Sequence, residues 1–236
     1  MKGKVTIERA LSKLGIASRG ETKQWIKERR LYLNGAVVIN PHDWVIPEES
    51  SFMLDGKLLT PSKEQTIILH KPKGFLTTAK DEKGRKTIYH LLPENLHHLH
   101  PVGRLDMHTT GLLLLTTNTR FSSYMTNPKN KIKRVYLVSV RGMVTEHDVK
   151  LLLQGIEDGG EKLQADHVAI RKASNKESHL VITLTEGKNR EIRRMLLAIS
   201  HEVISLKRVS FGEFKLEDLP VGKWRDITTQ VLGCNR

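Results

Sequence analysis

Residues 101–117 read PVGRLDMHTTGLLLLTT, and the reading of the chain turns on this stretch. Leu112 to Thr117 is apolar without alternation, the pattern of a strand buried on both faces. At four leucines it is far below the roughly 18 apolar residues that a membrane span needs. Asp106 stands just before this strand and is the last acid ahead of thirty-nine residues, 107–145, that hold six basic groups and no carboxylate. Most aspartates are solvated turn residues. At the mouth of a basic cleft, however, surrounding cations keep a carboxylate ionised, while a bound polyanion repels it. A carboxylate held there is costly, and that cost suggests a task.

Working outward, Ile67-Ile68-Leu69 reads as a strand that runs into Lys71-Pro72-Lys73-Gly74, a loop with two bases. In Val135 to Val140 the residues Tyr136, Val138 and Val140 share one face, and Val181 to Thr185 is another β-branched run. Helices are expected at 146–154, stopped by Gly155, and at 189–200. In the latter, Ile192, Met195, Leu196 and Ile199 form the apolar side, with Arg190, Arg193 and Arg194 on or near the polar side. Strands interspersed with few helices indicate an α+β fold rather than a doubly wound sheet.

The first sixty residues read as a separate small module. Ile7, Ala10, Leu11 and Leu14 mark one face of a short helix ending at Gly15. Ser18-Arg19-Gly20-Glu21 has capping-box spacing, so a second helix should run from Ser18 to about Arg30, anchored by Trp25 and Ile26. Lys23, Lys27 and Arg30 fall on its other side, with Arg19 one turn earlier. Leu31 to Val38 is a pair of strand-like runs around Asn34-Gly35, a hairpin signal. Polar, turn-prone residues 61–66 read as a linker, which divides the chain into 1–60, 61–66 and 67–236.

The chain has 236 residues, with 39 basic against 26 acidic ones, a net charge of +13. That balance points to a polyanion, nucleic acid before membrane surface. Residues 1–35, with nine basic and three acidic groups, and residues 107–145 are each +6. Two basic regions imply two surfaces on one polyanion, or two polyanions. No apolar N-terminal segment suggests secretion, and a cytoplasmic protein is expected. One cysteine, Cys234, excludes an intrachain disulfide or a multi-cysteine metal site, and it reads as an ordinary surface thiol. His97, His98 and His100 lack a nearby carboxylate or cysteine and read as a solvated loop, so no metal is expected. Phosphate-loop, dinucleotide-binding and zinc-deaminase patterns are absent. Gly187-Lys188-Asn189-Arg190 at a helix N-terminus suits an RNA phosphate.

Two family resemblances join these readings. The stretch GIASRGETKQWIKERRLYLNGAVV within residues 5–60 resembles the small RNA-binding domain first described in ribosomal protein S-four. It differs at Gly20, where relatives carry a second basic residue. Residues 101–106 with 110–116 resemble the catalytic motif of bacterial rRNA pseudouridine synthases of the RsuA/RluB type. The Lys71–Gly74, Lys133–Val138 and Glu186–Met195 segments agree, and the likeness continues through His201-Glu202-Val203 and Leu206-Lys207-Arg208 to Leu219–Arg225. His108 departs from an acid in relatives, and Thr119-Arg120 replaces an Asp-Gly turn.

The resemblance implies a mostly antiparallel mixed sheet and isomerisation of uridine to pseudouridine in ribosomal RNA or a ribosomal subunit precursor. It implies no cofactor and a monomer. It makes Asp106 the essential carboxylate, as nucleophile or as base. Tyr136 would stack on the uracil, and Arg193 would pair with Asp106. Arg19, Lys23, Lys27, Arg30, Lys71, Lys73, Arg104, Lys188, Arg190 and Arg194 are the expected RNA contacts. The Thr-Thr after the leucines and the Gly-Lys-Asn-Arg-Glu run lean toward large-subunit rRNA. Two rivals remain on sequence: a non-catalytic RNA-binding assembly factor, and an RNA N-glycosidase that breaks the same bond and releases the base.

Overall fold

The computed structural model describes residues 3–61, 63–79 and 81–234, of which 233 and 234 by backbone only. Ser62, within the expected linker, and the Cys234 side chain lie outside the described residues. The N-terminal part folds as β1 (Val5–Thr6), α1 (Ile7–Lys13), α2 (Arg19–Lys27), β2 (Leu31–Leu33), β3 (Ala36–Val37), β4 (Trp44–Val45), β5 (Phe52–Leu54) and β6 (Lys57–Leu58). Ile7, Ala10, Leu11, Ile26, Leu31 and Phe52 are among the side chains of its own apolar core. Ser18 and Glu21 form the expected capping box at the start of α2. Asn34 and Gly35 both take left-handed φ, 49° and 87°, as a type I′ turn between β2 and β3 requires.

The end of α2 differs from the sequence reading. The helix stops at Lys27, not near Arg30. Arg29 turns left-handed at φ 57°. The amides of Arg30 and Arg29 donate back to the carbonyls of Trp25 and Ile26, at 2.9 and 3.0 Å. This is a Schellman closure made without glycine, so the sequence carried no stop signal.

The remainder is built on one nine-stranded sheet. Its elements in chain order are β7 (Thr66–Lys71), β8 (His100–Pro101), β9 (Thr110–Thr116), α3 (Thr119–Thr126), β10 (Arg134–Arg141), α4 (Glu146–Gln154), the small pair β11 (Ile156–Asp158) and β12 (Glu161–Leu163), β13 (His167–Ala173), β14 (Glu177–Leu184), α5 (Glu191–Ala198), β15 (Val203–Phe211), β16 (Phe214–Lys215), β17 (Trp224–Asp226) and α6 (Thr228–Cys234). The sheet runs β13-β14-β10-β15-β9-β7-β17, with β16 on β15 and β8 on β9. All its pairs are antiparallel except β9 with β15. The α+β class and the mostly antiparallel mixed sheet are therefore as read.

The leucine run explains the layering. Leu113 and Leu115 enter one core with Tyr136, Val138, Leu152, Ile192 and Met195. Leu112 and Leu114 enter a second core with Phe121, Met125, Phe211 and Val231. Apolar layers on both faces remove the need for alternation. The edges of two elements shift slightly. β7 begins at Thr66, whose hydroxyl lies 2.7 Å from that of Thr116. α5 begins at Glu191 because Arg190 is left-handed at φ 49°. Among the described residues, no helix is long and apolar enough to cross a membrane.

The single parallel seam positions everything that follows. Lys207 and Arg208 of β15 face Thr110 and Gly111 of β9. Gly111 has φ 106°, and a Cβ there would stand 2.1 Å from the Arg208 carbonyl oxygen. Only glycine permits that approach, which brings the start of β9 and its preceding loop against β15.

Candidate active site

Asp106 sits in the loop between β8 and β9 and is half-buried. Its neighbours are tied down at several backbone atoms. The Asp106 carbonyl accepts from the Thr109 amide at 3.0 Å. Leu105 exchanges hydrogen bonds with the Thr77 hydroxyl, at 2.8 and 3.3 Å. The Gly74 amide donates to the Met107 carbonyl at 2.8 Å. Beneath the loop lies Lys71, 0% exposed. Its Nζ donates to the carbonyls of Pro72, Asp106 and Thr109, at 3.2, 3.0 and 2.9 Å. Burial pulls this amine down to about 8, with the Asp106 charge acting against the shift. Lys71, expected on RNA, is therefore a brace for the Asp106 loop, because β7 ends under that loop and the ammonium has no route to solvent.

A cleft of about 220 Å³ opens beside Asp106. Asp106, Tyr136, Arg208, Glu191, Leu206 and Ile192 are among its walls, and Arg104, Lys188 and Arg190 reach it from the rim. Tyr136 of β10 and Arg208 of β15 are cross-strand partners, so both side chains point to the cleft face of the sheet. The guanidinium of Arg208 lies over the Phe211 ring at 4.8 Å, and that of Arg134 lies at the same distance. Arg134 is spent on backbone: it donates to Ile132, Thr185 and Met125 at 3.1, 2.8 and 3.2 Å. Burial lowers its pKa from the ordinary arginine value. Arg208 donates its Nε to Leu112 at 2.8 Å, while one Nη is buried without a partner.

Glu191 is the other buried charge-bearing group on the cleft, 3% exposed. One carboxylate oxygen accepts from the Lys188 amide at 3.0 Å, and the other is buried and unpartnered. Desolvation is the main cause that raises its pKa to about 7. Around it stand Lys188 and Glu186 from the turn before α5 and Arg134 from β10. Sequence reading passed over Arg208, Glu191 and Arg134 as site residues. Their only signal was membership in segments that already carried the resemblance.

The expected ion pair between Arg193 and Asp106 does not form. Arg193 donates instead to the carbonyls of His108, at 3.1 Å, and Val203, at 3.5 Å. It therefore holds the turn after Asp106 rather than the carboxylate. Burial and then the Arg190 charge lower its pKa, and the Asp106 charge opposes both. Arg194 is likewise not free for a phosphate: it is bound by Asp158 and Glu161 of the β11–β12 hairpin. Lys188 is partly engaged by Glu186. Arg104, Arg190 and Lys73 are exposed. A second hollow shares Arg104 and Asp106 and continues past Lys83, Arg85 and Asn189, so an open track crosses the carboxylate.

On α2, Arg19 and Lys27 are exposed. Lys23 lies 3.2 Å from Glu8. Arg30, turned off the helix by the Schellman closure, pairs with Asp55 and Glu28 and so leaves the expected stripe. Of the histidine cluster, His97 donates from Nε2 to the Leu92 carbonyl at 3.1 Å and stands edge-on to Tyr89. No group of three or more His, Cys, Asp or Glu among the described residues could hold a metal ion.

A carboxylate on a braced loop, an aromatic ring and buried cations line one cleft with a basic rim. Comparison with known proteins names the class. A family model described as RNA pseudouridylate synthase matches residues 65–198, and the chain belongs to that family and is a pseudouridine synthase. It is 38% identical over 224 residues to an uncharacterized RNA pseudouridine synthase of Aquifex aeolicus, covering 94% of this chain and 90% of that protein. It is 31% identical to ribosomal large subunit pseudouridine synthase B of Bacillus subtilis, over 94% of this chain and 91% of the other. A crystal structure of a pseudouridylate synthase superposes with a TM-score of 0.69 at 27% identity, covering 97% of this chain and 98% of that one.

Proposed function

We propose that this enzyme converts a uridine of large-subunit ribosomal RNA to pseudouridine in the cytoplasm, with Asp106 as the essential carboxylate, as a monomer and without a cofactor. The observation that carries the reading is the braced Asp106 loop facing Tyr136 across the cleft. The large-subunit assignment is supported by the Bacillus subtilis relative and by a relative of the same name in Pseudomonas aeruginosa, 35% identical.

Reaching C1′ and N1 requires the nucleotide to leave its stack, at a few kcal/mol. Contacts of Arg104, Lys73 and Arg190 with phosphate offset that cost. The C1′–N1 bond then breaks, with its electron pair passing to the uracil. Asp106 meets the electron-poor ribose, either by bonding to C1′ or by taking a ribose proton. The ring turns against Tyr136, and C5 bonds to C1′ as the Asp106–C1′ bond breaks or as Asp106 returns the ribose proton. The proton then leaves C5, and N1 gains one. Atoms and charge balance, and the product is an isomer. The pKa of Glu191 near 7 leaves its carboxyl uncharged on the acid side of that value. The part of the chain at 1–60 serves as an S-four-like RNA-binding module that recruits the substrate through Arg19 and Lys27.

Ribosomal RNA carrying tritium on C5 of uridine tests the reading. Tritium released to water with the base retained supports it. Free uracil would replace it with the glycosidase, and no reaction with intact binding would replace it with the assembly factor. Asp106→Asn is expected to abolish release while RNA affinity stays within about twofold.

A further inference from the structure

The isomerase reading gives Asp106 the ribose and Tyr136 the uracil face, and assigns nothing to the edge of the base. That edge acquires charge. When C1′–N1 breaks heterolytically, the uracil leaves with the electron pair, and its negative charge spreads over N1 and the two ring carbonyl oxygens. A preorganised donor aimed at such charge in a water-poor site is among the larger sources of rate enhancement.

Arg208 has the required placement. It is 2% exposed and lines the cleft. Its Nε is anchored on the Leu112 carbonyl at 2.8 Å, and its guanidinium rests on the Phe211 ring, so its orientation is set before any substrate enters. One Nη is buried with no hydrogen-bond partner. An orphaned cationic donor is expensive to bury and is rarely retained without use. Its cross-strand partner is Tyr136, so a base stacked on that ring has its edge beside Arg208. Depth separates the candidate acceptors. Phosphates remain at the rim with exposed Arg104 and Arg190, and only an extruded base reaches the floor. Arg134, the neighbouring buried guanidinium, has both Nη groups occupied by carbonyls and is not equivalent.

We propose that Arg208 donates a hydrogen bond to a ring carbonyl of the extruded uracil and stabilises the negative charge that develops on the base as C1′–N1 breaks. No co-reactant is involved: the electron pair stays on the uracil until C5 bonds to C1′, and Arg208 keeps its protons throughout. The proposal rests on the isomerase reading and extends it to the leaving group.

The test uses the full-length protein in single turnover on transcribed large-subunit rRNA made with either uridine or 5-fluorouridine. The readout is the C-linked nucleoside in nuclease digests. Fluorine withdraws charge from the detached ring, so it should supply part of what Arg208 supplies. Arg208→Met is expected to slow uridine conversion about 100-fold. Its RNA affinity should stay within about threefold, and its deficit on 5-fluorouridine should shrink to about tenfold. Arg208→Lys, which retains the charge, should lose less and show the same narrowing. It carries the comparison if the methionine variant loses its circular-dichroism melt. Equal deficits on the two RNAs would overturn the role of Arg208 while leaving the isomerase intact, since a purely structural residue does not sense the leaving group. Failure of the wild-type protein to convert either RNA would overturn the isomerase reading and this one with it.

Discussion

Helix α2 and the cleft floor are both basic, yet they use charge in opposite ways. On α2 the cations are solvated, and two of the four expected ones, Lys23 and Arg30, already lean on carboxylates. Such exposed pairs are worth little, and a phosphate can exchange for them at small cost. Around the cleft, Lys71 beneath the Asp106 loop and Arg134 and Arg208 on the floor are buried and answer mainly to backbone carbonyls. They cannot turn outward, and each ties down a loop or strand around the cleft. The same residue types therefore stay open to solvent in one region and build in the other, and burial decides which.

The comparison breaks most readily at the β9–β15 seam. Gly111→Ala places a methyl within 2.1 Å of the Arg208 carbonyl at a φ of 106°. A destabilisation of about 4 kcal/mol or outright failure to fold is expected, read from urea unfolding. A variant that melts like the wild type would show that the seam is not what seats the Asp106 loop.

Glu191 offers a subtler test. Its pKa in the folded protein, about 7, lies above the ordinary 4.5, so the folded state holds the proton more tightly. The resulting stabilisation is full below about pH 4.5 and fades as pH rises through 7. Glu191→Gln should flatten that decline, measured as the change in urea midpoint between pH 5 and pH 7.5. An equally steep decline in the glutamine variant would assign it to other groups.

The smallest effects belong to α2. Replacing Arg19 or Lys27 with alanine should weaken RNA binding and lower the salt slope by about 0.7 per lost contact. Arg30→Ala should change the slope less, because its guanidinium is held by Asp55 and Glu28. Equal losses at all three positions would mean that the acids release Arg30 on binding and that the helix face works as a whole.

Legibility followed the range of the interactions. The capping box at Ser18, the Asn34-Gly35 turn and α4 from Glu146 to Gln154 were readable because each depends on residues within one turn of chain. The unalternating leucines were readable because burial on two faces leaves a composition mark. The end of α2 was not, since Arg29 adopts a left-handed conformation that its side chain does not advertise. Asp106 stood out from its charge setting, and the roles of Asp106, Tyr136 and Arg193 came from the resemblance. It did not show that Arg193 would bind carbonyls at His108 and Val203 in place of the carboxylate.

Sequence by itself determined the local elements, the two basic regions and the motif that marks the family, because periodicity, capping and spacing are written within short windows. Only the tertiary structure decided which charges are free. Lys71 meets Asp106 across 35 residues, Arg194 meets Asp158 across 36, and Arg208 meets Leu112 across 96. A side chain's partner, and with it the choice between binding RNA and holding the fold, is set by contacts that exist only once distant strands are side by side.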